Sequence, residues 1–354
     1  MRTLFGSAAI ALVSLAASIL AIEVGARWAG LAPTPVAENA QLDSGGWAVH
    51  HPVVGWKNKP GVNKVRSSGF NNVWSSVMTV WDDNSRATGP KDPGTTPDIV
   101  FVGCSFTQGS GLNDPETMAW QVQAAHPNLV VKNFGTSGYG AYQSLLTVEE
   151  LFKQPEVPKL VIFDFFYWHT IRDIAPVEWI RAFRNARGEI LVPPYMLGDG
   201  TEHPPIFYSP WPLESQSSLV SMARVAYLKA NHPSSMDTTT DVAIAIRILA
   251  RMQEIVAKRG ATLVVAVLDP WPIDNSSLLG DWKSLVKSVQ EGTPAVRQFL
   301  KANADQGRLE FIECSPDETL EKPEFQLPDS HPNALANAKW ASCINRWLDV
   351  KLKH

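Results

Sequence analysis

Ser105 lies in Gly103-Cys104-Ser105-Phe106-Thr107-Gln108-Gly109, directly after the apolar run Ile99-Val100-Phe101-Val102. A serine leaving a strand end, flanked by glycines that permit a tight turn, is placed to act as a nucleophile once a base reaches it. Near the other end of the chain, Leu327-Pro328-Asp329-Ser330-His331-Pro332-Asn333 follows the final apolar run and precedes a closing helical stretch. A histidine there takes the proton of a serine hydroxyl, and a carboxylate beside it fixes the tautomer and stabilises the imidazolium. His51, His126, His203 and His232 also precede proline, so the His-Pro pair carries no signal by itself. What distinguishes His331 is its place beyond a strand end with Asp329 two residues earlier.

Other chemistries lack their residues. The sequence holds no HExxH, no CxxC and no Walker Gly-Lys-Ser/Thr, and Gly109-Ser110-Gly111 lacks the third glycine of a dinucleotide fingerprint. His50 and His51 in an extended segment point to opposite faces, which disfavours a shared metal. No metal and no organic cofactor is expected. A net charge of -4 without a long basic run argues against a nucleic-acid partner.

Three blocks in order, Gly103 to Gly109, Asn133-Phe134-Gly135-Thr136-Ser137-Gly138-Tyr139-Gly140, and Asp329 to Asn333, resemble those of the SGNH (GDSL-like) hydrolases, a superfamily of serine esterases and acyltransferases. The resemblance runs from about residue 98 to 349 and implies a flavodoxin-like, three-layer α/β fold. It also implies Ser105, Asp329 and His331 as catalytic residues, and an oxyanion hole formed by the backbone N–H groups of Ser105 and Gly138. Cys104 stands where the family usually has aspartate; as a nucleophile it is the weaker candidate, since it leaves the strand opposite to Ser105. His169 stands where many members have an oxyanion-hole asparagine. An imidazole donates hydrogen bonds too, so His169 is either a third donor or a structural residue that leaves a weaker hole.

The elements that must position these residues follow from the apolar pattern. Runs at 99–102, 129–131, 160–163, 263–268 and 309–312 alternate with helical stretches, the signature of a parallel sheet covered by helices. Helices are expected from Asp114, as N-cap before Pro115, to about Ala125, over Ala141 to Lys153, over Asp241 to Lys258, and from Asn333 to Asp349. Residues 174–237, rich in Pro and aromatics, interrupt the alternation and read as an insertion over the active site within a catalytic domain of 97–354. Tyr139, Tyr167, Trp168 and Trp271 stand near the expected mouth, as ligand-stacking or core residues. Arg172 and Asp173 are expected to contact substrate or pair with each other at the surface.

Residues 32–96, rich in Pro, Gly, Ser and Asn, read as a linker and a small β-rich addition. Within 1–31, the uncharged run Leu4 to Ile22 would span about 28 Å as a helix, close to the bilayer hydrocarbon thickness. A retained membrane anchor, a cleaved signal and a buried core helix are the readings of that run, the anchor foremost. With Arg2 cytoplasmic, the rest would lie outside, in the periplasm or at the cell surface; after cleavage it would be secreted. Cys314 and Cys343 are a disulfide pair in an exported chain or two buried thiols. The expected function is acyl transfer on an ester, plausibly an O-acetyl group on an extracytoplasmic carbohydrate, with water or a sugar hydroxyl as acceptor. The rival is a non-catalytic, membrane-tethered glycan-binding or envelope-assembly protein that keeps the fold. Neither the acyl group nor the oligomeric state is legible in the sequence.

Overall fold

The computed structural model describes residues 2–31, 33, 46–69, 72–180, 189–232, 238–268, 281–314 and 323–353. Its centre is a five-stranded parallel sheet, whose strands we label β1 (Ile99–Val102), β2 (Val131–Asn133), β3 (Leu160–Phe165), β4 (Thr262–Val267) and β5 (Glu310–Glu313). Their spatial order is β2-β1-β3-β4-β5. Ile99 pairs with Val131 on one side and Leu160 on the other, and Val264 with Ile162 and Glu310. This is the flavodoxin-like order, in which the chain switches direction between β1 and β3 and ligands bind beyond the carboxyl ends of those strands.

Both sheet faces are covered, which is why the central strands read as unbroken apolar runs. One face, with Val100, Val102, Phe163, Phe165 and Val265, packs on Leu145 and Val148 of helix Ala141–Phe152 and on Ile244, Ile248 and Met252 of helix Thr238–Lys258. The other, with Phe101, Ile162 and Ala266, packs on Met118 and Val122 of helix Met118–Ala125 and on Trp340, Ile344 and Leu348 of helix Ala334–Lys351. Each such fully buried side chain contributes roughly 1.5 to 3 kcal/mol of transfer free energy.

Asp114 does not cap a helix. A short 3-10 turn, Asp114–Glu116, intervenes, and Thr117 caps the helix by accepting from the Trp120 N–H. The Asp114 carboxylate instead accepts the Thr79 N–H at 3.0 Å and pairs with the buried Arg86 at 3.2 Å. Arg86 and Thr79 belong to the β-rich addition, which forms two hairpins, Ala48–His51 with Gly55–Asn58 and Gly61–Gly69 with Asn72–Val80. The Arg86 N–H then joins the addition to β2 through the Asn133 carbonyl at 2.7 Å.

After β3 the chain leaves the sheet. Strand Ile190–Val192 pairs with Ile206–Tyr208, Tyr195–Met196 with Glu202–His203, and helix Ser218–Asn231 follows. Ala175, Val177, Ile180, Val192 and Leu228 give this segment a small core of its own. Leu191 packs with Trp56 and Tyr139, so the segment rests on the first hairpin. The chain opens with helix Arg2–Trp28, whose apolar side chains from Ile10 to Trp28 are largely exposed; over Ala9–Trp28 it is long and apolar enough to cross a membrane. Cys314, just past β5, is bonded to Cys343 in the last helix, with Cα atoms 5.6 Å apart.

Candidate active site

Ser105 is the first residue of the short helix Ser105–Gln108 at the carboxyl end of β1, with Cys104 extended before it. The turn requires glycine at 103: φ is +155°, and a Cβ there would stand 2.1 Å from Thr107 Oγ1. Cys104 is fully buried against the β1 and β3 side chains and the last helix. The loop after β2 is laced to the same helix. Thr136 N–H donates to the Gly103 carbonyl (3.0 Å), Asn133 Nδ2 to the Thr107 carbonyl (2.8 Å) and Ser137 Oγ to Gln108 Oε1 (2.6 Å). Gly135 lies so close that a Cβ would reach within 2.5 Å of the Gln108 nitrogen. Gly138, at φ +84°, is thereby held in a loop fastened to the Ser105 turn.

The candidate base arrives from the far end of the chain. Leu327 N–H donates to the His331 carbonyl at 2.7 Å, with Ser330 left-handed at φ 69° in the turn between. Asn333 Oδ1 accepts the Leu335 and Ala336 N–H groups and starts the final helix. Asp329 Oδ1 accepts the His331 N–H at 3.1 Å, and Oδ2 lies 3.0 Å from His331 Nδ1. That second contact is off the ring N–H axis, so it is electrostatic rather than an aligned hydrogen bond. Burial opposes ionisation of Asp329, but His331 outweighs it and holds the carboxyl below its usual value. The imidazole meets the ring of Phe106, the residue after Ser105, edge-on with centroids 6.0 Å apart; Phe106 in turn packs on Phe166 and Trp340.

The loop after β3 differs from its surface reading. Arg172 and Asp173 turn inward and hold the Gly138 loop. Arg172 Nη1 donates to the Tyr139 carbonyl at 3.0 Å, its guanidinium stacks 4.5 Å from the Trp179 ring, and it faces the Cys104 thiol. Asp173 Oδ1 accepts the Tyr142 N–H at 2.8 Å, capping helix Ala141–Phe152, and sits where a Cβ on Gly140 would fall. Burial pushes the Asp173 carboxyl well above its usual range despite those backbone donors. Buried carbonyls and helix N–H groups need partners, and these two side chains supply them, which is why they face inward instead of pairing at the surface.

His169 is fully buried, stacked on Phe163 at 5.6 Å and edge-on to Phe165 at 5.7 Å. Its Nδ1 accepts the Phe166 N–H at 3.5 Å and its Nε2 has no hydrogen-bond partner. Burial, aided by Arg172, pushes this imidazole well below its usual range, so it is neutral. Tyr139 is packed under the first hairpin and donates its hydroxyl to the Trp56 carbonyl, and Tyr167 is buried edge-on to Phe165. Both serve as packed core residues. Trp168, just past the carboxyl end of the central strand β3, is half-buried against both cores; Trp271 lies outside the described residues.

Several residues of the site carried no signal that its blocks would reveal. Asn58 donates to the Gly135 carbonyl at 3.0 Å and accepts from Gln108 Nε2 at 2.7 Å, and Trp56 Nε1 donates to the Ser137 carbonyl at 2.9 Å. Arg86 Nη1 caps the Gln108 and Gly109 carbonyls at 2.8 and 2.6 Å. The addition is thus built into the walls of the site. Asp164 on β3 is fully buried and neither of its carboxyl oxygens has a hydrogen-bond partner; desolvation pushes the carboxyl well above its usual range, so it keeps its proton. An acid inside an apolar strand was its only mark in the sequence. A cavity of about 670 Å³ opens elsewhere, lined by Lys57, Lys132, Phe134, Thr136, Tyr139 and Glu150, and none of Ser105, Asp329 or His331 lines it. Among the described residues no group of three or more His, Cys, Asp or Glu is arranged to hold a metal.

No family model matches the chain, and no curated protein matches its sequence. Solved structures similar to it are largely of the G-D-S-L lipolytic kind. A member of that family from Veillonella parvula shares 14% identity over 70% of this chain and 96% of its own, with a TM-score of 0.40. The esterase EstA from Pseudoalteromonas sp. shares 13% over 71% and 99%, TM-score 0.40. A mutant of an acetyl-xylooligosaccharide esterase from Geobacillus Stearmophilus shares 13% over 72% and 95%, TM-score 0.37. A likeness this distant assigns no activity, which rests on the residues themselves.

Proposed function

We propose that the chain is a serine-dependent ester hydrolase or acyl-transfer enzyme held at a membrane by its N-terminal helix, with Ser105 as nucleophile. The observation that carries the reading is the convergence of the Asp329–His331 turn on Phe106, beside Ser105, at the carboxyl edge of the sheet. In this mechanism His331 takes the Ser105 proton as the oxygen attacks the ester carbonyl, and Asp329 stabilises the imidazolium so formed. The N–H groups of Ser105 and Gly138 hold the oxyanion. The alkoxide leaves with the proton from His331, and water or a sugar hydroxyl, deprotonated by the same histidine, releases the acyl group. His169, enclosed by phenylalanines, is a weaker candidate for a third donor; the two backbone donors carry the hole without it.

The substrate proposed is an O-acetyl ester of an extracytoplasmic carbohydrate, favoured by the anchored placement and by half-buried Trp168 at the edge of the site. The test compares the full chain with Ser105→Ala on p-nitrophenyl acetate and on an O-acetylated polysaccharide, measuring acetate release with and without a second glycan as acceptor. Release abolished in Ser105→Ala supports the reading; equal release by both proteins overturns it. Failure of the folded wild type on every ester tried favours the tethered, non-catalytic reading, for which the enclosure of His169 is the structural motive.

A further inference from the structure

Glu23 is the one acidic residue in the apolar N-terminal helix, and it is not idle. Its carboxylate accepts the Ser217 hydroxyl at 2.9 Å and the N–H groups of Ser218 and Leu219 at 2.8 and 3.0 Å. Arg27, one turn on, pairs with it at 2.7 Å and reaches the Gln216 carbonyl. The anchor therefore satisfies the opening N–H groups of helix Ser218–Asn231, a site where negative charge is favoured. The uncharged run ends at Ile22, so Glu23 and Arg27 lie in the last turns of the apolar span Ala9–Trp28, toward its boundary with water, and the second helix begins beside them.

That second helix is amphipathic in the wrong sense for water. Its buried stripe holds Ser218, Ser221 and Arg224 with Leu228, whereas Met222, Ala223, Ala226 and Tyr227 face outward, Met222 43% and Tyr227 40% exposed, and the exposed polar residues Lys229 and Asn231 come only in the last turn. It carries no Asp or Glu. Arg224 lies 5.1 to 5.5 Å from the rings of Tyr208, Trp211 and Tyr227 and 4.0 Å from the buried Glu214 carboxylate, which together keep its charge inside. Surface helices of soluble proteins place polar side chains outward; an apolar outward face belongs against an apolar partner. Exposed Trp28 ends the anchor beside it, and tryptophan and tyrosine favour the headgroup level of a bilayer.

Resting on the anchored reading, we infer that helix Ser218–Asn231 is an interfacial element, its Met222–Tyr227 face seated in the headgroup and acyl boundary of a phospholipid bilayer. The anchor is then more than a tether. By accepting the Ser218 and Leu219 N–H groups it fixes which side of the catalytic domain faces the membrane, and removal of residues 1–31 would leave the helix only its own Ser217 cap, which accepts the Val220 N–H.

The test uses the full chain in phosphatidylcholine and phosphatidylglycerol vesicles, with a nitroxide on Ala226→Cys. Cys104 is buried and the other cysteines are bonded, so the new thiol is the reactive one. Ile19→Cys marks the anchor and exposed Lys153→Cys marks water. Power-saturation electron paramagnetic resonance compares collisions with oxygen, which partitions into lipid, and with a water-soluble nickel chelate. Position 226 is expected to favour oxygen, as position 19 does, while 153 favours nickel. If 226 matches 153 while 19 favours oxygen, the anchor stands and this inference falls. If 19 also favours nickel, the anchored reading falls and takes the inference with it.

Discussion

Removing the Cys314–Cys343 bridge, as Cys314→Ser with Cys343→Ser, isolates the link that ties β5 to the final helix. The bridged residues are 29 apart in sequence, and closing a loop of that length in the unfolded chain costs about 3.6 kcal/mol of entropy at 25 °C. Losing it shifts the folded-to-unfolded ratio by roughly four-hundredfold, at the conversion of about 1.36 kcal/mol per decade. The closed loop contains Asp329 and His331, so the variant is expected to lose kcat on esters at temperatures where the sheet persists. Urea unfolding followed by tryptophan fluorescence should show the midpoint falling in the double variant, and in wild type after reduction. Thiol titration in denaturant should find one reactive cysteine, Cys104, before reduction and three after. Three thiols before reduction, or an unchanged midpoint in the double variant, would refute the reasoning.

Three further perturbations test the walls of the site. Arg172→Ala leaves the Tyr139 carbonyl without its donor and loosens the Gly138 loop; loss of one oxyanion donor typically costs about 3 kcal/mol, so kcat should fall about a hundredfold with KM little changed. Arg172→Lys should not restore it, because a lysine cannot reproduce the planar fork; full activity in either variant contradicts the clamp. Asn58→Ala should cost about 1 to 3 kcal/mol for each buried group it orphans, at Gln108 and the Gly135 carbonyl, read as a lower urea midpoint with kcat reduced. Asp164→Asn tests the buried acid through pH. Above about pH 4 the unfolded chain releases a proton that folded Asp164 retains, so this group makes stability fall with rising pH, by up to about 1.4 kcal/mol per unit. The variant should therefore gain on wild type between about pH 4.5 and 7; a pH-independent difference in stability refutes a protonated Asp164.

The sheet and the three sequence blocks were legible because each depends on local pattern. β1, β3 and β4 announce themselves as apolar runs, since both faces of the sheet are covered. β2 does so less well: the apolar run at 129–131 lies two residues before the strand Val131–Asn133, because the strand ends on Lys132 and Asn133, whose polar side chains are satisfied by Asp83 and by the Thr107 carbonyl. Contacts between distant segments leave no periodicity, so Asn58 and Arg86 were invisible as parts of the site, and the bond from Arg172 to the Tyr139 carbonyl left no mark in the sequence either. Asp114 followed by Pro115 has the composition of a helix start, yet the buried Arg86 guanidinium claims its carboxylate. The outward face of helix Ser218–Asn231 was hidden for a related reason. A sequence shows which residues are apolar, and only the packing of Arg224 among three aromatic rings shows that the polar stripe is the inner one.

The most direct measurement of the central claim is covalent labelling of the folded wild-type chain with a fluorophosphonate, followed by peptide mass mapping. A single adduct on Ser105 is expected, abolished in Ser105→Ala and strongly slowed in His331→Ala. A folded chain that takes up no probe, or an adduct elsewhere that survives Ser105→Ala, would contradict that claim.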